Sequence, residues 1–527
     1  MFAPVELMFV RYDWWLEGES MTVALSRGQY SLSMGKLRNR IWSTALAVLM
    51  VGAIAAHGQV DVQSNEWSRL ARQVFGELIA LDTTHESGDT TPAAELLAHR
   101  LREAGFNSED VEVVGPGRSN KNLVARLRGS GRGRPILFFA HLDVVAAPRD
   151  QWNTDPFTLT ERDGNFYGRG AFDVKNEDAD MVVNLIRLKR EGYRPAKDII
   201  IALTAGEESG ADYNGVTWLL QNRKSLIDAE YSINLDIGDA HNRRGQHAIF
   251  GYNLDEKAHI VWILSAKGQG GHSDQPSPDN AIARLAAAVV RIHDLEFPVH
   301  LTNSTRAYLR RMAAIESDPL ASDMRALADS SNDADVSAVA RRVATGSPEY
   351  NAQFRTTCVP TIIKGGFAVN ALPTDAEASI SCRILPDDSY DFIGQTLKRT
   401  IADEQIQVRM RKDGPEVAVV SELEPRPEPQ SPAPELEAAL QQIVGQMWPK
   451  VPVVPVLQIG ASDSLPLRLA GVPSYGVQGM YFDIEDANQQ HGPNERVGVR
   501  EFYEGVEFTN RLMRILTRDS TTASHLP

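Results

Sequence analysis

Cysteine is almost absent from this chain, which has only Cys358 and Cys382 among its 527 residues. Neither belongs to a Cys-x-x-Cys pair or a Cys/His cluster, which excludes a metal site with cysteine ligands. The two cysteines lie symmetrically about Asn370 between two strand-like stretches, so a hairpin centred there would place them opposite each other. A cross-strand disulfide, which suits an exported protein, and two small buried thiols both remain open.

Positive charge is also scarce. The chain has 54 Lys and Arg residues against 69 Asp and Glu residues, a formal net charge of -15, and no basic stripe. We therefore expect no nucleic-acid partner, because such binding needs a concentrated positive surface. The apolar fraction of 43% and the charged fraction of 23% are ordinary for a folded globular protein.

The apolar stretch near the N-terminus, Ile41–Ala56, is short for a membrane span of about 20 residues. Three cations precede it and small residues end it, which is the layout of a secretory signal peptide over about 34–58. We expect an exported protein, periplasmic or secreted, with no stable membrane insertion and with translation starting at Met34 or Met21. A retained membrane anchor is the alternative.

The chain is longer than one hydrophobic core usually organises, which predicts two domains or one large domain with an insertion. Strand and helix patterns alternate after the signal, and this predicts an α/β fold with an open mixed sheet flanked by helices. Near residue 255 the pattern changes to that of a small sheet with helices on one face. The predicted boundaries are 1–58 for the N-terminal extension, 62–255 and 436–519 for the two parts of the larger domain, 256–412 for an inserted α+β domain with a helical insertion at 296–350, and 413–435 for a linker rich in Pro and Glu.

Acidic residues and histidines follow several of the buried-looking strands, such as PILFFA (135–140) and DIIIALTA (198–205). In open α/β sheets ligands bind beyond the carboxyl ends of strands, so side chains far apart in the chain can converge there. Two histidines with several carboxylates make a metal site the natural hypothesis, although each residue alone could be a cap, a loop ion pair or an exposed side chain. The candidates are His141, Asp143, Asp173, Glu207, Glu208, Asp236 and His491.

The contexts of these residues resemble one known family. In chain order the motifs are HLDVVAAPRDQWNTDPF, GNFYGRGAFDVK, TAGEESG, GQGGHSDQPSPDNAI, GGFAVNALP with SCRILP, GASDSLPL and HGPNERV, spread over roughly 65–520. Together they resemble the zinc-dependent exopeptidases and deacylases of metallopeptidase family twenty, clan MH, which include glutamate carboxypeptidase, carnosinase, succinyl-diaminopimelate desuccinylase and aminoacylase. The resemblance implies a phosphorylase/hydrolase-like zinc peptidase domain with an inserted ferredoxin-like lid domain.

The resemblance also implies two zinc ions (Zn²⁺) per subunit. His141, Asp173 and Asp236 would hold the first ion. Asp173, Glu208 and His491 would hold the second, so that Asp173 bridges the two.

Five further residues receive roles from the same resemblance. Asp143 would accept the second ring N–H of the ligand His141, and Glu207 would be the general base. His272 would donate to the developing oxyanion. Asn370 would hold the substrate by amide hydrogen bonds and Arg383 by pairing with a carboxylate.

Three features depart from the family pattern or leave a choice open. Asn176 stands where the family usually has Gly after the Lys of its DxK segment, which puts the local loop geometry in doubt. Asp239 lies close enough in sequence to compete with Asp236 as a ligand, although Asp236 ends the strand. The family's lid histidine often reaches the site of a partner subunit, which predicts a homodimer through the lid domain, but the 296–350 insertion could cover that surface.

We therefore expect an exported zinc-dependent hydrolase that cleaves an amide or peptide bond of small peptides, as a dipeptidase or carboxypeptidase does. Hydrolysis of N-acyl amino acids is the alternative within the same chemistry. A catalytically inactive exported binding protein and a membrane-anchored scaffold that docks through the Pro-rich linker are alternatives of other classes.

Overall fold

The computed structural model describes residues 65–208, 213–243, 245–330, 333–411, 416–417, 430–483 and 490–519. The predicted signal peptide lies outside these residues, and so does most of the predicted linker. Within the described part of the chain, no helix combines the length and the apolar character that crossing a membrane requires.

Strands and helices alternate over most of the described chain. The strands are β1 Val111–Val114, β2 Asn122–Leu127, β3 Ile136–His141, β4 Thr160–Arg162, β5 Asn165–Tyr167, β6 Ile199–Thr204, β7 Tyr231–Asn234, β8 Asp239–Arg243, β9 Gln246–Glu256, β10 Ala258–Lys267, β11 Gly271–His272, β12 Thr357–Gly365, β13 Ala371–Leu372, β14 Asp375–Ile384, β15 Ile406–Arg411, β16 Glu416–Val417, β17 Val453–Gln458, β18 Ser474–Gly476, β19 Phe482–Asp483 and β20 Arg496–Gly498. The helices are α1 Glu66–Ile79, α2 Thr91–Glu103, α3 Lys175–Arg190, α4 Gly215–Asn222, α5 Lys224–Ile227, α6 Ala281–His293, α7 Asn303–Met312, α8 Leu320–Asp329, α9 Asp333–Gly346, α10 Pro348–Phe354, α11 Tyr390–Ile401, α12 Pro434–Met447, α13 Ser464–Leu469 and α14 Val499–Thr517.

A large mixed sheet of ten strands carries the site. Its order is β1-β2-β6-β3-β7-β18-β9-β8-β19, with β17 pairing β9, and β6, β3, β7 and β18 run parallel at its centre. The sequences of β3 (ILFFAH) and β6 (IIIALT) are buried throughout, because strands covered on both faces need near-continuous apolar runs. The late strands β17, β18 and β19 join this same sheet.

Helices cover both faces of the large sheet. On one face Phe138 and Ile201 pack with the apolar stripes of α1 and α14, where the rings of Phe75 and Phe502 stack 4.9 Å apart. On the other face Phe139 belongs to a second buried cluster that includes residues of α4 and α13. Each such large apolar side chain contributes about 1.5–3 kcal/mol on burial. The predicted fold class, an open mixed sheet flanked by helices, is confirmed.

A smaller sheet of five strands has the order β12-β14-β10-β15-β16. Helices α6 and α11 share one apolar cluster with its buried side chains, as an α+β unit requires. Cys358 of β12 lies directly opposite Cys382 of β14, and the two form a disulfide. The sequence leaves open whether these cysteines form a disulfide or remain buried thiols, and in the structure they form the disulfide.

Four helices, α7 to α10, occupy most of the segment predicted as a helical insertion. Tyr308 and Met312 of α7 share an apolar cluster with Ile249 of β9 and Val456 of β17. These helices therefore pack on the large sheet, although the sequence predicts this segment to be part of the inserted domain. The domain boundaries themselves stay predictions.

Candidate metal centre

The parallel strands at the centre of the large sheet end together at one edge. His141 is the last residue of β3, which lies between β6 and β7. Glu207 and Glu208 follow β6, and Asp236 follows β7. Because neighbouring parallel strands have their carboxyl ends at the same edge, these side chains meet although their strands are distant in sequence.

His141 is the buried centre of the first group of contacts. Its Nε2 atom lies 3.2 Å from Oδ1 of Asp173 and 3.4 Å from Oδ1 of Asp236. Oε2 of Glu207 is further away, at 3.9 Å from the same nitrogen. Asp239, the competing ligand candidate, contacts His241 instead, at 3.2 Å.

His491 is the centre of the second group. Its Nε2 atom lies 3.1 Å from Oδ2 of Asp173 and 3.0 Å from Oε1 of Glu208. Asp173 therefore presents one carboxylate oxygen to each imidazole. In each of the two predicted ligand sets the donor atoms lie within 4.8 Å of one another, and a third set of His141, Glu207 and Glu208 meets the same limit.

Asp143 acts differently from the sequence-based expectation. The Nδ1 atom of His141 lies 2.9 Å from the backbone carbonyl oxygen of Asp143, whereas the Asp143 carboxylate is 3.9 Å away. That carboxylate instead accepts the backbone N–H groups of Gly206, Glu207 and Glu208 at 2.7, 3.3 and 3.0 Å. The turn after β6 presents three N–H groups to one acceptor, so Asp143 fixes this turn and, through its carbonyl, the ring of His141.

Electrostatics favour positive charge at this centre. Burial opposes protonation of His141, yet the carboxylates of Asp236 and Asp173 raise its pKa well above the usual value. Hydrogen bonds with Asp173 and Glu208 raise the pKa of His491 to about 10. A negative field that holds protons this tightly also favours a divalent cation, and imidazole with carboxylate donors suits zinc. The residues present therefore fit the expected metal.

The Glu207 side chain is only 16% exposed and has no place in either predicted ligand set. Burial and the nearby carboxylates of Asp236 and Asp463 raise its pKa well above the usual value, against the opposing charge of His141. A carboxylate beside a cation site can accept a proton from water and return it to a leaving group.

The loop that departs from the family pattern is well fixed. Lys175 is fully buried, and its Nζ atom donates to the carbonyl oxygen of Leu81 at 2.7 Å. Burial lowers its pKa to about 8. Asn176 is buried in the first turn of α3 and contacts the sulfur of Met480 at 3.1 Å. Lys175 thus does not pair with Asp173, which leaves both carboxylate oxygens of Asp173 directed at the imidazoles.

Three buried charged residues near the centre, Arg169, Asp463 and Glu495, have no role in the site predicted from the sequence. Arg169 and Glu495 form an ion pair of 2.6 Å between the loops of Asp173 and His491. Asp463 accepts hydrogen bonds from Thr204 and from Asn214, beside the turn of Glu207. The signal was present, because all three charged residues lie inside the quoted motifs YGRGAFDVK, HGPNERV and GASDSLPL.

The remaining predicted residues lie elsewhere. His272 and Asn370 come together in the two-stranded sheet of β11 and β13, where the backbone N–H of Ser273 donates to the carbonyl oxygen of Asn370 at 3.0 Å. Arg383 lies near the opposite end of β14. The side chain of His272 contacts Asp274 at 2.8 Å.

The chain is similar in sequence to known hydrolases. Residues 137–515 match the family described as Peptidase family M20/M25/M40. The N-fatty-acyl-amino acid synthase/hydrolase PM20D1 of Homo sapiens is 29% identical over 396 residues, which cover 75% of this chain and 76% of that protein.

Solved structures show the same fold. The M20 family metallo-carboxypeptidase Sso-CP2 of Sulfolobus solfataricus superposes with a TM-score of 0.61 at 15% identity, covering 84% of this chain and 98% of that chain. Human carnosine dipeptidase 1 superposes with a TM-score of 0.58 at 17% identity, covering 85% of this chain and 96% of that chain. With the family match spanning more than two thirds of its length, this chain belongs to the metal-dependent hydrolases of Peptidase family M20/M25/M40.

Proposed function

We propose that this protein is a two-zinc hydrolase that cleaves the amide bond of a small peptide or an N-acyl amino acid. The observation that carries the proposal is the position of Asp173, whose two carboxylate oxygens lie 3.2 and 3.1 Å from two different imidazoles. A carboxylate shared in this way suits a site for two cations, and Asp173 would contribute to both. Asp236 would complete the first zinc site with His141, and Glu208 the second with His491.

The protein's own groups supply the proton transfers. Zinc ions, when bound, provide Lewis acidity that polarises the substrate carbonyl and lowers the pKa of water. Glu207 takes the proton from the attacking water and returns it to the leaving amine. Asp143 holds the turn that carries Glu207 and Glu208, so the base and the ligand keep a fixed relative position.

Two substrate classes fit this chemistry. The sequence motifs do not separate the two classes, and peptides, as for dipeptidases and carboxypeptidases, are the first candidate. The 29% identity to a human N-fatty-acyl-amino acid synthase/hydrolase, over three quarters of both chains, supports N-acyl amino acids as the second candidate. Both classes carry an amide bond next to a free carboxylate, which Arg383 would bind with its planar guanidinium.

A substrate panel with and without chelator tests the proposal. We expect hydrolysis of at least one dipeptide or N-acyl amino acid, loss of activity with chelator, and recovery on addition of Zn²⁺. The ratio of kcat/KM for the two classes decides between the two candidates. A folded protein that binds these compounds but cleaves none would instead favour the inactive binding protein.

We also propose a homodimer, because the predicted substrate residues of one chain lie far apart along the small sheet. Arg383 lies where the small sheet adjoins the large one. Burial, and then the charge of Arg383, lower the pKa of Lys257, which directly follows β9, to about 7. His272 and Asn370 lie beyond the other end of β14, roughly 27 Å away at the 3.4 Å rise of antiparallel strands. A second copy of the chain would supply His272 and Asn370 to the site of the first.

The surface around this far end supports such pairing. Edge strand β12 exposes Val359, Ile362 and Ile363 by 51–58%, and the loop that follows exposes Phe367 by 77%. An exposed apolar edge strand is a template for pairing with another chain. We expect the wild-type protein to have the molecular mass of a dimer in solution. The Ile362→Lys variant should shift that mass toward the monomer. A wild-type protein with the mass of a monomer would refute the dimer.

Export is part of the proposal as well. The signal-like segment at about 34–58 supports it, and so does the disulfide between Cys358 and Cys382, since disulfides persist in oxidising compartments. Fractionation of cells that express the full chain, with N-terminal sequencing of the product, tests it. Recovery of uncleaved protein from the cytoplasm would contradict it.

A further inference from the structure

A buried ion pair, Arg169 with Glu495, lies next to the metal centre. Their side chains are 2% and 0% exposed. Backbone pairing brings them together, because β5 and β20 are antiparallel, with Tyr167 opposite Arg496. In addition, the backbone N–H of Gly168 donates to the carbonyl oxygen of Glu495 at 3.2 Å.

The carboxylate of Glu495 organises the loop that leads to Asp173. Its Oε1 atom accepts the backbone N–H groups of Phe172 at 2.8 Å and Asp173 at 2.9 Å. Its Oε2 atom accepts the backbone N–H of Gly170 at 3.0 Å and the Nη1 donor of Arg169 at 2.6 Å. Four donors therefore converge on one carboxylate, and three of them are backbone groups of the loop that ends at the shared ligand.

The guanidinium of Arg169 continues the contact to the second ligand loop. Its Nη2 atom donates to the carbonyl oxygen of His491 at 3.3 Å and to that of Ala146 at 3.1 Å. The ring of Trp152 lies against it, 5.1 Å from the guanidinium carbon. The ion pair thus connects the backbone of Asp173 to the backbone of His491. The φ angle of His491 is 59°, in the left-handed region.

A role in stability alone does not explain this arrangement. Removing two charges from water costs several kcal/mol, and a buried ion pair often contributes no more stability than apolar side chains of the same size. The pair Arg187–Glu507, at 2.9 Å, is partly exposed and joins α3 to α14 without contacting either ligand loop. The two pairs therefore share their chemistry and differ in what they position.

We propose that Arg169 and Glu495 are positioning residues that set the distance between Asp173 and His491, and thereby the affinity of the second zinc site. The inference rests on the proposed function, since it concerns the ligand set of Asp173, Glu208 and His491. Arg169 and Glu495 belong to neither predicted ligand set, but they would determine how tightly the second set binds zinc.

The test is zinc binding by metal-free protein, measured by titration against a competing chelator. Glu495→Gln removes the charge but keeps the shape, and Arg169→Lys keeps the charge but loses the fork that reaches the His491 carbonyl. In both variants we expect one zinc equivalent, that of Asp173, Glu208 and His491, to bind about 10- to 100-fold more weakly, and the affinity for the other equivalent to change far less. Glu507→Gln is the matched control and should bind both equivalents as the wild type does.

Thermal melting of the metal-free proteins separates positioning from folding. If Glu495→Gln does not fold, Arg169→Lys alone decides. Wild-type affinity for both equivalents in the variants, or equal weakening of both, would overturn the inference. A wild-type protein that takes up fewer than two zinc ions would overturn the two-zinc proposal itself, which is a distinct and recognisable failure.

Discussion

Two regions of the molecule differ in how many contacts their predicted site residues make within one chain. One is the edge of the large sheet with the predicted metal ligands, and the other is the far end of the small sheet with His272. At the large sheet, His141, Asp173 and Glu208 are buried or nearly so; Asp173 contacts both His141 and His491, and Glu208 contacts His491. At the small sheet, the side chain of His272 is 62% exposed and contacts Asp274 at 2.8 Å. A single chain thus brings the predicted metal ligands and the predicted base together, whereas in the proposed dimer His272 and Asn370 would act on the site of the other chain.

The largest expected effect is that of Glu207→Gln, which tests the division of labour within the large-sheet centre. The amide cannot accept the proton of the attacking water, so we expect kcat to fall about 10²- to 10⁴-fold. Because Glu207 is outside both predicted ligand sets, zinc content should remain at the wild-type value. Steady-state kinetics and elemental analysis of the same preparation measure both quantities.

Glu208→Gln is the matched control, one residue further along the same turn. Its Oε1 atom lies 3.0 Å from Nε2 of His491. We therefore expect this variant to lose affinity for one zinc equivalent, whereas Glu207→Gln does not. Loss of zinc from the Glu207→Gln protein would contradict the assignment of these two adjacent carboxylates.

Much of the large-sheet centre could be predicted because its side chains follow strands with clear apolar patterns. The run PILFFA ends directly before His141, and DIIIALTA ends two residues before Glu207. Strands of this kind pack in parallel, and their carboxyl ends must then meet. The symmetry of Cys358 and Cys382 about Asn370 likewise agrees with the observed register of β12 and β14.

Contacts that depend on tertiary packing could not be predicted. Whether His141 donates to the carbonyl or the carboxylate of Asp143 depends on how the turn after β6 folds over it. The pairing of Arg169 with Glu495 joins residues 326 positions apart, and no local pattern specifies such a partner. The apolar stripe of α7 indicates a buried face, but not which of the two sheets would bury it.

An intermediate effect is expected for His272→Ala, which tests the small-sheet side of the comparison. Loss of one oxyanion donor should lower kcat about 10²- to 10³-fold without changing zinc content. If the donor acts on the partner's site, a mixed dimer of His272→Ala with Glu207→Gln contains one site with both residues intact. Co-expression with two different tags, followed by tandem purification, isolates the mixed dimer for kinetics.

The purified mixed dimer should recover about half of the wild-type activity, since one of its two sites is complete. Each variant alone stays at its low level, which is the internal control. If His272 instead acts within its own chain, the mixed dimer has no complete site. Activity no higher than that of the parent variants would then contradict action across the dimer.

The smallest expected effect comes from two helix caps, one in each region. Asn280 caps α6 of the small-sheet region, where its Oδ1 atom accepts the backbone N–H groups of Ile282 at 3.0 Å and Ala283 at 3.2 Å. Asn214 caps α4 by accepting the backbone N–H of Thr217 at 2.9 Å. Replacing either asparagine by Ala should lower the free energy of unfolding by about 1 kcal/mol, measured by urea denaturation.

Only the Asn214 cap should affect catalysis. Its amide also donates to the carbonyl oxygen of Gly206 at 3.4 Å and to the carboxylate of Asp463, both beside the turn that carries Glu207. We expect Asn214→Ala to lower kcat about 3- to 10-fold, the equivalent of one hydrogen bond, and Asn280→Ala to leave it unchanged.

Asn214→Ser separates the two roles, because serine keeps the cap but lacks the amide donors. It should restore the stability without restoring kcat, and recovery of both would mean that Asn214 acts on catalysis only through the helix it caps.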